Sequence, residues 1–231
     1  MGEAEKRIAG EYAARLVKDG DHVGLGTGST VKYAIEGIAR RISLEGLKIS
    51  GVATSTRTEE LAGSLGITLI DIDDVEKLDI AIDGADEINP SLDLIKGLGG
   101  ALFREKVVAS LAERFVIVAE QSKYVEKLGT RSPLPVEVAR FGSVQALHRL
   151  SSIEGVQKID FRRKDGKPFI TDNGNYVIDL WFKDGIENPA KLREKIESTL
   201  GVLTSGLFLG MATEVVLSDT HGVRVLERSE R

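Results

Sequence analysis

The order of local patterns in the first 120 residues constrains the fold of this chain more than any other feature. Short apolar segments of strand length alternate there with segments of helical periodicity, such as the one with Ile8, Tyr12 and Leu16 on one face. Parallel strands need long crossover connections, which are usually helices. The alternation therefore predicts an α/β fold, a Rossmann-like and largely parallel sheet with helices on both faces.

The predicted elements of this part are delimited by apolar runs and by the turn residues between them. We expect strands at residues 22–26, 48–53, 67–72, 78–82 and 114–120. We expect helices at residues 4–18, 54–62 and 101–112, and another that carries Val31, Ala34, Ile35 and Ile38.

The pattern changes near Gly129. Strands are predicted at residues 133–138, 156–162 and 175–182, with helices at 143–152 and 188–199. This order is typical of a smaller α+β domain, whereas the tail has two apolar strand candidates, 212–217 and 222–227, that could return to the first sheet. We therefore predict a discontinuous Rossmann-like domain of residues 1–129 with 205–231, and a smaller α+β domain of residues 130–204.

Composition excludes several classes of function. The 231 residues have a net charge of −5 and no dense Lys/Arg cluster, which argues against a nucleic-acid partner. The absence of cysteine excludes disulfides, thiolate nucleophiles and Cys-ligated metals. No apolar run approaches the roughly 20 residues of a membrane-spanning helix. The charged N-terminal segment lacks the apolar core of a secretory signal. We expect a cytoplasmic protein that does not bind membranes.

The first candidate binding motif is the glycine-rich segment 24–30, which follows a predicted strand and precedes a helix. Its glycines allow close approach of backbone N–H groups to a ligand, and Thr27, Ser29 and Thr30 add hydroxyl groups around Gly28. It lacks the Gly-Lys-Ser/Thr ending of a P-loop and, with Ser29, the third glycine of a dinucleotide fingerprint. An ordinary strand-to-helix turn is the alternative, but the composition favours phosphate binding.

The second motif is the acidic run 83–87, directly after the apolar strand 78–82. Open α/β sheets place ligands beyond the carboxyl ends of their strands, so Asp83, Asp86 and Glu87 are candidates for proton transfer or metal binding. The three histidines are scattered outside any ligand spacing, which argues against most metal sites, although magnesium held by oxygen ligands stays open. An acidic surface turn is the simpler alternative.

The third motif, residues 96–106, combines a cation, three glycines and a carboxylate at the start of a helix. Lys96 and the backbone of Gly97 and Gly99 suit stabilisation of an oxyanion, and Glu105 is a general-base candidate if it faces inward. The alternative is a solvated face formed by residues 104–106. A weaker fourth element is Lys123, again beyond a strand end. Four polar elements after four different strands favour one shared site.

In this order, the motifs resemble those of the type A ribose-5-phosphate isomerase family. They are GTGST (26–30), ATSTRT (53–58), DGADEI (83–88), KGxGGALxREK (96–106), SK (122–123), PLPVEV (133–138), TDNGN (171–175) and GVLTSGLF (201–208). The resemblance runs from about residue 7 to residue 226. It implies an aldose–ketose isomerase that interconverts ribose 5-phosphate and ribulose 5-phosphate through an enediolate.

The resemblance also implies roles for single residues. Thr27, Gly28, Ser29 and Thr30 match the phosphate- and sugar-binding loop, and Asp83, Gly84, Ala85 and Asp86 match a loop that contacts sugar hydroxyls. Lys96, Gly97, Leu98 and Gly99 match the loop around the reacting oxygens, Glu105 the proton acceptor and Lys123 a substrate-binding lysine. The family implies no metal or organic cofactor and a homodimer or homotetramer.

Two positions depart from the family pattern. Leu98 stands where glycine is usual, and Phe103 stands where threonine is common. Both departures leave Asp83, Asp86, Lys96 and Glu105, the expected catalytic groups, in place. The competing interpretations are a non-catalytic sugar-phosphate sensor, a nucleotide-dependent oxidoreductase and an acyl or CoA transferase with Glu105 as nucleophile.

Overall fold

The computed structural model describes residues 2–228 of the chain. The helices of this part are α1 (Glu3–Ala14), α2 (Val31–Glu45), α3 (Thr56–Ser64), α4 (Leu102–Leu111), α5 (Ser143–Ser151) and α6 (Pro189–Glu197). The strands are β1 (His22–Leu25), β2 (Ser50–Ala53), β3 (Leu78–Asp83), β4 (Glu87–Ile88), β5 (Leu94–Ile95), β6 (Ala112–Glu120), β7 (Leu134–Val138), β8 (Val156–Phe161), β9 (Arg163–Lys164), β10 (Lys167–Pro168), β11 (Tyr176–Phe182), β12 (Val202–Ser205), β13 (Leu207–Phe208), β14 (Glu214–Asp219) and β15 (Gly222–Glu227).

The first compact unit contains the described parts of Met1–Ala85 and Gly210–Arg231, together with Arg104–Lys123. Its six-stranded sheet has the order β15-β14-β6-β3-β1-β2, in which only the β14–β15 pair is antiparallel. The tail thus returns to the first sheet. The predicted α/β fold with a largely parallel sheet is confirmed.

Helices cover both faces of this sheet, and successive strand residues point to opposite sides and so contact different helices. Val23 and Leu25 of β1 belong to a core cluster that also holds residues of α1 and α2, such as Ala13 and Ile38. On the other face, a Cβ atom at Gly24 would lie only 2.6 Å from Val108 Cγ1 of α4. Glycine at this position therefore lets α4 approach the sheet closely.

The second compact unit contains Asp86–Phe103 and Tyr124–Leu209. Its main sheet is antiparallel with the order β12-β7-β11-β8, and a three-stranded sheet has the order β13-β5-β4. Apolar residues of α5 and α6, such as Leu150 and Ile196, are fully buried against Val136 and Leu180 of the main sheet. The domain limits predicted at residues 129/130 and 204/205 stay a prediction, since compactness alone does not define a domain.

One predicted strand is wrong. Residues 67–72 form only an isolated bridge, between Leu69 and Gly51, and then enter a 3-10 helix, Ile72–Asp74. The side chain of Asp71 accepts a hydrogen bond of 3.0 Å from the N–H of Asp73 and caps this turn. Aspartate competes for nearby backbone groups in this way, and it ends the extended chain here.

Candidate active site

Several predicted site residues lie at one edge of the parallel sheet of the first unit. The neighbouring strands β6, β3, β1 and β2 run in the same direction, so their carboxyl ends share this edge. Lys123 follows β6 in a 3-10 helix, Asp83 ends β3, the segment 26–30 follows β1, and Thr54 follows β2. Parallel register thereby collects residues that are far apart in the sequence.

The Asp83 carboxylate is held at this edge by the backbone. Thr27 N–H and Gly84 N–H donate to its Oδ1 atom at 3.1 and 2.7 Å, and the side chain is 2% exposed. Gly26 N–H donates to Ile82 O at 2.9 Å, which brings the first loop against the end of β3. A Cβ atom at Gly26 would overlap the Asp83 carboxylate, so only glycine fits this contact.

The hydroxyl of Thr27 belongs to a buried cluster of hydroxyl groups. Thr27 Oγ1 lies 2.8 Å from Thr54 Oγ1, 2.7 Å from Ser55 Oγ and 3.0 Å from Thr58 Oγ1. Thr58 Oγ1 in turn donates to Gly26 O at 2.9 Å. The cluster fixes the first residues of the segment 26–30, whereas Gly28 and Ser29 are exposed. The motifs assigned no role to residues 54–58 in the site. Four hydroxyl residues in these five positions are nevertheless a sequence pattern that indicates a cluster of hydrogen bonds.

Thr30 and Lys123 differ in burial at the same edge. Thr30 is buried and donates from Oγ1 to Glu120 Oε2 at 3.5 Å, while Lys6 forms an ion pair of 3.6 Å with Oε1 of the same carboxylate. Lys123 is partly exposed. The partly exposed lysine is therefore the more accessible group for an anionic ligand.

Glu105 lies in the first turn of α4 and is 4% exposed. Its burial excludes the alternative in which residues 104–106 form a solvated face. The amino end of a helix carries partial positive charge, which stabilises a carboxylate in the first turn. Glu105 is therefore an inward-facing carboxylate on a rigid element, a suitable geometry for a general base.

The second unit holds the Lys96–Gly100 loop, which follows β5. Lys96 is 2% exposed, its N–H donates to Gly206 O at 2.9 Å, and its Nζ atom lies 5.4 Å from the centroid of the Phe208 ring. Gly97 has a φ of +101°, a conformation that favours glycine. The face of an aromatic ring attracts an ammonium group, so this contact helps to hold the buried side chain in place.

Asp86 supports this loop from the same unit. Its Oδ2 atom accepts a hydrogen bond of 2.9 Å from Leu98 N–H, and its own N–H donates to Ile95 O at 2.8 Å. Leu98 is 39% exposed and Gly99 is also exposed. Leu98, which stands where glycine is usual, therefore contacts Asp86 through its backbone N–H, and its side chain lies partly in solvent.

Glu87 has a different function from the other acids of the run 83–87. Its carboxylate is fully buried and accepts hydrogen bonds from the N–H groups of Gly129, Arg131 and Ser132 at 2.6, 2.7 and 2.6 Å. These bonds order the segment 129–132 within the second unit. Glu87 is thus a structural carboxylate, which the sequence alone did not distinguish from its neighbours.

Within residues 2–228, no group of three or more His, Asp or Glu side chains is arranged to hold a metal ion. In the same range, every helix is too short or too polar to cross a bilayer.

Comparisons with known proteins agree on one family. The family model described as ribose 5-phosphate isomerase A (phosphoriboisomerase A) matches residues 50–222. Ribose-5-phosphate isomerase A of Synechococcus sp. (strain JA-3-3Ab) is 48% identical over 225 residues, which cover 97% of each chain.

Solved structures give the same result. Ribose 5-phosphate isomerase from Plasmodium falciparum has a TM-score of 0.96 at 35% identity, over 99% of this chain and 100% of that one. A D-ribose-5-phosphate isomerase in complex with phospho-erythronic acid has a TM-score of 0.94 at 34% identity, again over 99% and 100%. These findings confirm the resemblance of the motifs, and the chain belongs to the ribose 5-phosphate isomerase A family.

Proposed function

We propose that Glu105 moves the proton between C2 and C1 of the sugar in the reaction of this family. The chain is an aldose–ketose isomerase that interconverts D-ribose 5-phosphate and D-ribulose 5-phosphate through an enediolate. The observation that supports Glu105 is its burial in the first turn of α4. A carboxylate kept out of bulk water on a helix can be positioned against a carbon acid.

Lys96 and the backbone of the Lys96–Gly100 loop stabilise the negative charge of the enediolate in this proposal. A C–H group next to a carbonyl is a very weak acid, so a base alone does not suffice. One well-placed donor to a developing oxyanion contributes about 3–4 kcal/mol. Burial of the Lys96 ammonium strengthens its interaction with such a charge, because the local dielectric is low.

Asp83 and Asp86 orient sugar hydroxyls and assist proton exchange at O1 and O2. Support for Asp83 comes from the two backbone N–H groups that fix its carboxylate at the sheet edge. Support for Asp86 comes from the hydrogen bond that its carboxylate accepts from Leu98 N–H in the Lys96–Gly100 loop. A carboxylate held by backbone donors keeps its orientation when the substrate leaves.

The phosphoryl group is bound by the segment 27–30 and by Lys123. Exposed Gly28 and Ser29 lie just before α2, where N–H groups and partial positive charge favour an anion. Lys123 adds a full positive charge at the same edge of the sheet. Binding energy at the phosphate end, remote from the reacting carbons, can be used to position C1 and C2.

Cellular context completes the proposal. We place the protein in the cytoplasm as a homodimer or homotetramer, acting without metal or organic cofactor, as the family resemblance implies.

The sensor, oxidoreductase and transferase interpretations are not favoured, since the relative that is 48% identical over nearly the whole chain is an isomerase.

The replacement Glu105→Gln tests the assignment. It keeps the shape of the side chain and removes the base, so kcat for ribose 5-phosphate should fall by about 10²- to 10⁴-fold while KM changes little. Steady-state kinetics of ketose formation measure both values.

The matched control is Glu60→Gln, which removes an exposed carboxylate of α3 in the same compact unit. Its kinetics should equal those of the wild type. Near-normal turnover of Glu105→Gln would reject Glu105 as the base.

A further inference from the structure

We infer that Arg162 is a positioning residue that sets the orientation of the Lys96–Gly100 loop. The inference rests on the proposed function, which gives this loop the task of holding the reacting oxygens. Arg162 lies between β8 and β9, more than 60 residues from the loop in sequence, and it belongs to the same compact unit. No motif of the sequence pointed to it.

Four N–H groups of one guanidinium are used in this contact. Nη1 donates to both Gly97 O and Leu98 O, at 2.7 and 2.8 Å. Nε donates to Asp179 Oδ2 at 2.9 Å, and Nη2 donates to Asp179 Oδ1. The edge of the planar guanidinium formed by Nε and Nη2 fits the carboxylate, and the two N–H groups of Nη1 reach the two carbonyl oxygens. Lysine has no such geometry.

The two carbonyl contacts fix two consecutive peptide planes. In a planar trans peptide, the N–H points opposite to the C=O. The Gly97–Leu98 peptide therefore directs its N–H away from Arg162, and this N–H donates to Asp86 Oδ2 at 2.9 Å. The Leu98–Gly99 peptide likewise directs the N–H of Gly99 away from the guanidinium. Arg162 thus determines which way the N–H groups of Leu98 and Gly99 point.

Arg162 is anchored by a carboxylate of the main sheet. Asp179 lies on β11, a central strand of the main sheet, where it pairs with Asp160 of β8 and Pro135 of β7. The side chains of Arg162 and Asp179 are 12% and 9% exposed, so the ion pair is largely shielded from water. Removal of one partner from such a pair leaves a buried charge without its counter-ion.

An aromatic side chain adds to this support. The guanidinium carbon of Arg162 lies 6.0 Å from the centroid of the Phe169 ring. Gly100, at the end of the loop, has a φ of +84°, and a Cβ atom there would overlap the same ring. Phe169 therefore contacts both the loop and the arginine that orients it.

The test compares Arg162→Met with Arg163→Met. Arg163 is the neighbouring arginine, is exposed, and donates from Nη1 to Gly166 O at 3.3 Å. We expect Arg162→Met to lower kcat for ribose 5-phosphate by about 10- to 100-fold, since misplacement of a site by 1 Å has effects of this size. KM should stay within about threefold because the phosphate is bound by other residues. Arg163→Met should match the wild type.

Chemical rescue separates positioning from general stability. In Arg162→Ala, millimolar guanidinium chloride should restore part of the lost kcat by occupying the vacated place next to Asp179, while it does not activate the wild type. Wild-type kcat in Arg162→Met would overturn the inference. The inference would also be overturned if kcat, substrate affinity and thermal stability all fell together and guanidinium gave no rescue. Such a result would indicate a purely structural role for Arg162.

A second variant covers the case in which Arg162→Met does not fold. Asp179→Asn keeps the shape of the anchor and removes its charge, so kcat should fall with KM maintained, and unchanged kcat would overturn the inference. The two proposals fail separately. Turnover retained in Glu105→Gln contradicts the proposed function, whereas turnover retained in Arg162→Met contradicts the role of Arg162.

Discussion

The two compact units hold their predicted site residues by different means. At the sheet edge of the first unit, backbone hydrogen bonds between neighbouring chain segments fix Gly26, Thr27 and Asp83. In the second unit, the Lys96–Gly100 loop is oriented by side chains, above all by Arg162 on Asp179. The first arrangement follows from the topology of the sheet, whereas the second depends above all on the Arg162–Asp179 pair.

This difference predicts how each region responds to mutation. Backbone contacts at the sheet edge survive most side-chain changes but do not tolerate added volume where two segments touch. The loop in the second unit tolerates volume at exposed positions but depends on its charged groups. Three replacements test this contrast.

Lys96→Met should have the largest effect of the three. It keeps the length of a buried side chain and removes its charge, so kcat should fall by about 10²- to 10³-fold, the usual effect of losing one oxyanion donor. Kinetics with ribose 5-phosphate measure the loss. Lys164→Met, which removes an exposed lysine of β9, is the control and should be neutral. If kcat of Lys96→Met fell by less than about threefold, the result would contradict the proposed role of Lys96 in stabilising the oxyanion.

Gly26→Ala should have an intermediate effect. The added methyl group meets the Asp83 carboxylate, so we expect a loss of about 1–3 kcal/mol in the free energy of unfolding and a lower kcat. Urea denaturation and steady-state kinetics measure these two values. Gly63→Ala on α3, where a Cβ atom meets nothing within 4 Å, is the control and should not destabilise. Wild-type stability in Gly26→Ala would contradict the close contact at the sheet edge.

Leu98→Ala should have the smallest effect. The side chain is 39% exposed and the contacts of this residue to Asp86 and Arg162 come from its backbone. We expect kcat and KM within about twofold of the wild type, as for most exposed positions. Leu203→Ala, at a residue that is also 39% exposed, provides the comparison. A tenfold loss specific to Leu98→Ala would show that the side chain itself acts in the site.

Sequence reasoning succeeded where local pattern determines structure. Apolar runs between glycine-rich turns located the parallel strands, and the carboxyl ends of those strands then located Asp83 and the segment 26–30. The strand expected at residues 67–72 does not form because Asp71 caps a turn. The apolar content of the segment does not reveal this effect of a side chain.

Other features depend on tertiary contacts, and the local pattern of apolar and polar residues does not predict them. The inward orientation of Glu105 is decided by packing of α4, since a charged run at a helix start usually faces solvent. The structural role of Glu87, unlike the roles proposed for Asp83 and Asp86, depends on hydrogen bonds from N–H groups of residues 129–132. The pairing of Arg162 with Asp179 joins the residue that follows β8 to the neighbouring strand β11, and no recognisable sequence motif marks either charge.

The central claim is that Glu105 carries the proton between the two carbons. The most direct measurement is the deuterium content at C1 of the ribulose 5-phosphate formed from ribose 5-phosphate in deuterated water, read by NMR for the wild type and for Glu105→Gln. A base that exchanges its proton with solvent puts deuterium at C1 in the wild type, and Glu105→Gln should form labelled ketose only at a rate lower by orders of magnitude. Labelled ketose formed at the wild-type rate by Glu105→Gln would contradict the account.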